Sequence, residues 1–154
     1  MRKAGVNPRR TALVAAGAVL VLDQASKQWA LASLGDGPIR LLGNALRLRL
    51  VRNSGAAFGL LPGWGGWLAL AAVLAVVGLA LGSRRVQSRP EAIALGLVLG
   101  GAVGNLSDRL FRGTTIGDGR VVDFIDPAWF WTFNLADAAI TTGAFIFLFA
   151  ELRK

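Results

Sequence analysis

The chain has 154 residues, 54% of them hydrophobic and only 17% charged, with a mean hydropathy of +0.53, whereas an average soluble domain carries roughly 25% charged residues. It contains neither cysteine nor histidine, which excludes disulfide frameworks, thiol nucleophiles, histidine bases and most zinc sites, so any catalysis must run on carboxylates, hydroxyls, lysine or arginine. The net charge of +8 would suggest nucleic acid in a soluble protein, but here the basic residues edge apolar runs and read as topology signals and contacts to lipid phosphates, with no nucleic-acid partner.

Four apolar segments, 11–34, 64–82, 90–110 and 133–152, are each long enough to span a bilayer at about 20 residues per helix, and a second domain does not fit beside them. Residues 1–154 therefore read as one membrane-embedded unit. Arg2, Lys3, Arg9 and Arg10 precede the first segment, Arg84, Arg85 and Arg89 lie between the second and third, and Arg153 and Lys154 close the chain. The longer connections, 35–63 and 111–132, are poorer in basic residues, so both termini are expected in the cytoplasm and both longer loops outside. Trp29, Trp64, Trp67, Trp129 and Trp131 all fall near the proposed outer ends, where indole rings favour the interface. The N-terminal stretch also imitates a secretory signal peptide with Ala30-Leu31-Ala32 as its cleavage site, but Asp23 and Lys27 between the apolar run and that triplet argue against cleavage.

In the first outer loop, Leu46, Arg47, Leu48, Arg49 and Leu50 alternate with period two, which predicts a strand on the bilayer surface with leucines toward lipid and arginines toward phosphates or solvent. Asn53-Ser54-Gly55 then marks a turn. In the third span Gly96, Gly100 and Gly104 form a small-residue ridge, which close helix packing is enough to explain.

Ionisable groups inside a span are expensive, and their depth is informative. At 1.5 Å per residue, Asp23 lies about 18 Å, Asn105 about 22 Å and Asp108 about 27 Å from the inner ends of their spans, and Asp137 about 6 Å from the outer end of its own. In a hydrocarbon core of about 30 Å, three helices thus bring polar side chains to one pocket near the outer surface. Asp23 and Lys27, four residues apart, neutralise each other and read as structural. Asn105, Asp108 and Arg109 share a face, and Asp108 with adjacent Arg109 reads as a helix-end pair supporting the site. Asn134, Asp137 and Thr141 share a face of the fourth span. Asp137 has no basic residue at helical spacing and asks for a partner across the pocket.

Asp118, Asp123 and Asp126 are the candidate partners. Asp118, in Gly117-Asp118-Gly119, reads as a solvated turn. Asp123 follows Val121-Val122 and precedes Phe124-Ile125, an apolar setting that raises a carboxyl pKa. Two carboxylates sharing a proton can do aspartic-protease chemistry, the ionised one activating water and the protonated one donating to the scissile carbonyl, with no metal or other cofactor. Two rival readings remain: a Ser/Lys peptidase using Ser54 or Ser107 with Lys27 as base, and a small four-span proton-coupled transporter. Transporter sites usually lie near the midplane between repeated halves, whereas this chain shows no repeat and its polar groups lie outward.

At these residues the sequence resembles the lipoprotein signal peptidase (signal peptidase II) family. The matching blocks are Asp23-Gln24-Ala25-Ser26-Lys27, Val51-Arg52-Asn53-Ser54-Gly55-Ala56-Ala57-Phe58, Gly101-Ala102-Val103-Gly104-Asn105-Leu106-Ser107-Asp108-Arg109, Val121-Val122-Asp123-Phe124 and Phe133-Asn134-Leu135-Ala136-Asp137. The resemblance implies an all-α core of four transmembrane helices with a small β-cradle on the outer side, in the bacterial cytoplasmic (inner) membrane. It implies that Asp123 and Asp137 are the catalytic dyad of an aspartic endopeptidase, and that Asp23, Lys27, Asn53, Gly55, Asn105, Asp108, Arg109 and Asn134 orient the acids and hold substrate. The implied substrate is a diacylglyceryl-modified prolipoprotein, cut just before its lipidated cysteine by a monomer surrounded by membrane lipids. The stretch 111–120 departs from the family in being long and polar.

Overall fold

The computed structural model describes residues 7–54, 74, 86, 88–116 and 118–152. Its elements are α1 (Pro8–Ser33), β1 (Ile39–Arg40), β2 (Leu46–Asn53), α2 (Arg89–Phe111), β3 (Val121–Pro127) and α3 (Leu135–Glu151). The expected span at 64–82 with Trp64 and Trp67, as well as Gly55 and the Ala56-Ala57-Phe58 end of the second block, lies outside the described residues.

Each of these three helices begins at a cap written into the sequence. Asn7 accepts the Arg9 N–H at 3.0 Å ahead of α1, with Pro8 entering the first turn where no N–H is needed. Ser88 and Glu91 form a reciprocal capping box at α2, and Asn134 and Asp137 form another at α3. The last of these starts a helix with residues that also belong to the site. Phe133, just before it, is not helical. Its N–H and carbonyl both pair with Ile125 at 2.9 Å, which ties the start of α3 to β3.

The glycine ridge packs α2 onto α1. A methyl group at Gly96 would fall 2.5 Å from the Ala15 side chain, and one at Gly100 would fall 2.6 Å from the Ala16 carbonyl oxygen. One at Gly104 would strike the Asp23 carboxylate, so the missing side chain there makes room for a polar group. Gly101 faces the other way, against the Ala136 carbonyl of α3. Alternating the bare positions lets one helix lie close to two neighbours. By length and composition α2 can cross a membrane, and Leu135–Ala150 is a shorter apolar helix.

The three strands form an antiparallel sheet in the order β1-β2-β3. Arg47 pairs with Asp126 and Leu48 with Ile125, but Val51 pairs with Asp123 and Asn53 with Val121, so β2 gains one residue between Leu48 and Val51. Because side chains alternate, that extra residue re-aims everything after it. Arg47 can face Asp126 on one side while Asn53 reaches Asp123 on the other.

The expectation for the alternating segment is corrected on both faces. Leu48 and Leu50 do not point to lipid: they pack with Leu31 and Ile125 against Ala30, Leu34, Val122 and Phe124. Arg47 and Arg49 hold Asp126 at 2.9 and 3.0 Å, a protein counter-charge in place of the expected phosphates or solvent alone. The sheet lies over the end of α1 and needs its leucines as cover, while an acid fixed across the ladder is a nearer counter-charge than any headgroup. The strand also runs past residue 50 to Asn53, because β3 continues to offer it partners.

Gly100→Ala should lower the melting temperature in detergent by several degrees, since overpacking costs about 1–3 kcal/mol, whereas Gly17→Ala, which meets nothing within 4 Å, should leave it unchanged or raise it slightly. Equal melting temperatures for the two variants would mean that the ridge does not set the helix spacing.

Candidate active site

The site is organised around Lys27, whose side chain is wholly buried between Asp23 and Asp108 at 2.9 Å each. The expected neutralising pair in α1 is therefore present, with a second acid from α2 added to it. Each acid also grips a backbone N–H: Asp23 accepts from Ala136 at 3.0 Å, and Asp108 accepts from Val122 at 3.2 Å. Ala136 and Val122 immediately precede Asp137 and Asp123. The cluster thus holds the chain one residue before each acid singled out in the sequence.

Lys27 also donates to Asn105 Oδ1 at 2.9 Å. An ammonium only donates, so it fixes the amide's orientation and leaves Asn105 Nδ2 to donate to Asp137 Oδ1 at 2.8 Å. Asn134 is oriented in the same way. Its Oδ1 caps the Asp137 N–H at 3.0 Å, and its Nδ2 donates to Asp123 Oδ1 at 2.7 Å and to Asn105 Oδ1 at 3.1 Å. Asn53 Nδ2, delivered by the bulged strand, donates to Asp123 Oδ2 at 3.0 Å. Asp137 Oδ2 accepts the Asn134 N–H at 3.2 Å. Each carboxylate thus accepts from an asparagine, Asn105 or Asn134, whose direction is set by a group that can only donate.

Asp123 and Asp137 open into one cavity of about 560 Å³, lined also by Asn53, Asn105, Arg109, Phe130 and Trp131. Asp123 is 2% exposed. Its carboxyl is raised to about 6 by the balance of burial, which pushes it up, the Asn53 hydrogen bond, which draws it down, and the charge of Asp137, which pushes it up.

The other candidate acids stand apart. Asp118 is exposed and accepts from the Thr114 hydroxyl at 2.8 Å and the Thr115 N–H at 3.0 Å, which hold its carboxyl below the usual range. That is the solvated turn the sequence suggests. Burial acts to raise Asp126, but Arg49, Thr132 and Arg47 outweigh it and keep the carboxyl low. Neither lines the cavity of Asp123 and Asp137. Gly55 lies outside the described residues.

The expected pairing of Asp108 with Arg109 needs correction. Arg112, one turn further on, approaches Asp108 to 2.6 Å and also donates to Gln24 at 3.1 Å. Arg109 turns toward the cavity and donates to the Asn105 carbonyl at 3.3 Å. Residues three and four apart share a helix face and adjacent ones do not. The spacing that pairs Asp23 with Lys27 would have found Arg112. Gln24, which donates to Asp23, Asp108 and the Gly104 carbonyl, had no comparable signal.

The chain matches known proteins over most of its length. The family model described as Signal peptidase (SPase) II matches residues 15–153. A lipoprotein signal peptidase of Rhodococcus jostii (strain RHA1) is 44% identical over 140 residues, 90% of this chain and 71% of that one. One from Syntrophomonas wolfei subsp. wolfei is 43% identical over 136 residues, 87% of each chain. Two solved structures described as bacterial membrane enzymes, determined by the in meso method, superpose with a TM-score of 0.79 each. They are 28% and 26% identical to this chain, covering 93% and 94% of it and 88% and 94% of their own lengths. The class is thus a peptidase, a helical protein with a small sheet and structural relatives among membrane enzymes. The chain belongs to the signal peptidase II family, and its activity is that of the family. The transporter reading finds no support in any of these matches.

Lys27→Met should destabilise the protein strongly, by about 3–5 kcal/mol, because it strands buried carboxylates without their cation. Lys27→Met combined with Asp23→Asn restores charge balance and should recover a large part of the lost melting temperature. A double variant no more stable than the single one would show that the cluster is not held together by charge.

Proposed function

We propose that the chain is an aspartic endopeptidase of the membrane that removes the signal peptide from diacylglyceryl-modified prolipoproteins, cutting just before the lipidated cysteine. The observation that carries the reading is the meeting of Asp123 and Asp137 in one cavity through oriented asparagines. In the reaction, ionised Asp137 takes a proton from water as the water oxygen attacks the scissile carbonyl, and protonated Asp123 gives its proton to the carbonyl oxygen. As the C–N bond breaks, Asp137 passes its proton to the leaving nitrogen and Asp123 recovers one from the gem-diol. The pair returns to its starting state, and no metal or cofactor is needed. Arg109, at the cavity wall, is placed to hold the substrate backbone.

In this reading four spans at 11–34, 64–82, 90–110 and 133–152 cross the bacterial inner membrane, with both termini in the cytoplasm and the enzyme a monomer among lipids. The sheet forms a cradle at the outer face. Support comes from apolar side chains turned away from the protein along the helices: Leu13, Val14, Val21, Phe145 and Phe149 are all more than half exposed, as a bilayer solvent permits. Phe130 and Trp131 at the cavity, with exposed Trp129 next to Phe130, suit the interface. A scissile bond near that surface leaves the substrate's acyl chains in lipid.

Asp123→Asn and Asp137→Asn should each abolish cleavage of a lipidated precursor in proteoliposomes while leaving the melting temperature close to that of the parent. Near-normal turnover in either variant removes that residue from the dyad. Asp118→Asn should be nearly silent, and EDTA should not inhibit; a loss reversed by a divalent ion would overturn the mechanism.

The pH profile offers a separate check. If Asp123 must be protonated, kcat/KM should fall as pH rises through about 6. Asn53→Leu removes the donor that draws this carboxyl down, so the falling limb should move to higher pH. A limb that stays put, or moves down, would assign the titration to another group.

A further inference from the structure

A second cavity, of about 680 Å³, lies on the opposite side of β3 from the catalytic one. Strand alternation separates them: Val121 and Asp123 line the catalytic cavity with Asn53, whereas Val122 lines the second with its cross-strand partner Arg52. The rest of the wall comes from the end of α2 and the long polar connection after it, including Phe111, Arg112, Asp118 and Arg120. The peptidase chemistry uses none of these residues.

The cavity is a built structure. Gly119 is buried and donates its N–H to the Arg109 carbonyl at 3.0 Å, folding the connection back onto the helix end. A side chain at Gly119 would collide with the Asp108 carbonyl. Asp118 spends both carboxylate oxygens on Thr114 and Thr115, and Arg112 is committed to Asp108 and Gln24. Arg52 and Arg120 differ, being exposed at the cavity with guanidinium groups that meet no hydrogen-bond or ion-pair partner among the described residues. Two open cations therefore face a space floored by Leu31 and Val122. In its wall, Phe111 is 75% exposed.

We propose that this cavity binds an anionic phospholipid, its phosphate between Arg52 and Arg120 and its acyl chains against Leu31, Phe111 and Val122. Guanidinium groups match phosphate oxygens in planar, two-point contacts. A free phosphate or a peptide carboxylate would satisfy the arginines but would leave the apolar floor and the exposed phenylalanine without a role. The assignment rests on the reading above that places this end of the molecule at the outer membrane surface, where phosphates and acyl chains meet.

The test is native mass spectrometry of the full chain in neutral detergent, offered phosphatidylglycerol and phosphatidylcholine in equal amounts. At about fivefold per arginine, phosphatidylglycerol should be retained about 25-fold over phosphatidylcholine. Arg52→Gln with Arg120→Gln should abolish the preference. Arg120→Gln alone, at an exposed position that folding does not depend on, should lower it about fivefold. Asp123→Asn should keep it whole. Equal retention of the two lipids by the parent, or an undiminished preference in the double variant, overturns the proposal. Release of the bound lipid by millimolar inorganic phosphate would make this a small-anion site and overturns the lipid assignment too. Precursor cleavage by the same preparations separates the two readings. Cleavage without lipid preference removes the lipid site alone, and lipid preference without cleavage removes the peptidase reading alone.

Discussion

A buried ammonium is the constraint from which the rest of the site follows. Taking Lys27 and its two acids out of water costs several kcal/mol per ion even after relaxation, and such a cluster persists only when every proton and lone pair finds a partner. Lys27 uses its donors on Asp23, Asp108 and Asn105, while Arg112 supplies a second cation, so two positive groups meet two negative ones. The remaining acceptor capacity of the acids reaches the N–H groups of Ala136 and Val122. Elements from three helices and a strand are fixed by one charge, and the two cavity acids are each carried one residue beyond a point so fixed.

The asparagines translate that constraint into chemistry. An amide offers a donor on one side and an acceptor on the other, so its orientation propagates from one end of a chain of hydrogen bonds to the other. Lys27 decides how Asn105 lies, and the N-terminus of α3 decides how Asn134 lies. Asp137 therefore receives the side-chain amide of Asn105, together with the backbone N–H of Asn134, while Asp123, more deeply enclosed, receives the side-chain amides of Asn53 and Asn134. Two acids of the same type acquire different surroundings, which is the condition for dividing acid and base roles between them.

The sheet contributes by separating two faces. Its bulge lets one strand satisfy Asp126 with Arg47 at one end and reach Asp123 with Asn53 at the other, although both residues have odd numbers and a regular ladder would turn them the same way. Past the bulge, the Asn53 side belongs to the catalytic cavity and the Arg52 side to the basic one.

Much of this was legible in the sequence, because a charged residue in an apolar helix is rare enough to be read singly. The apolar runs, the glycine ridge, the Asp23–Lys27 spacing and the isolation of Asp137 all express local rules of period and cost. Those rules, with the family blocks, pointed to Asp123 and Asp137 before any fold was known. Partner choice across the fold was not legible. That Asp108 would take Lys27 and Arg112 rather than Arg109, that Leu48 would pack against the cluster of Ala30, Leu34, Val122 and Phe124, and that Arg47 and Arg49 would close on Asp126 depended on a strand register and a helix approach that no local pattern records. Composition and spacing determine which groups must be paired, because burial makes an unpaired charge intolerable. Only the tertiary structure decides with whom, because several partners satisfy the same charge and geometry alone selects among them.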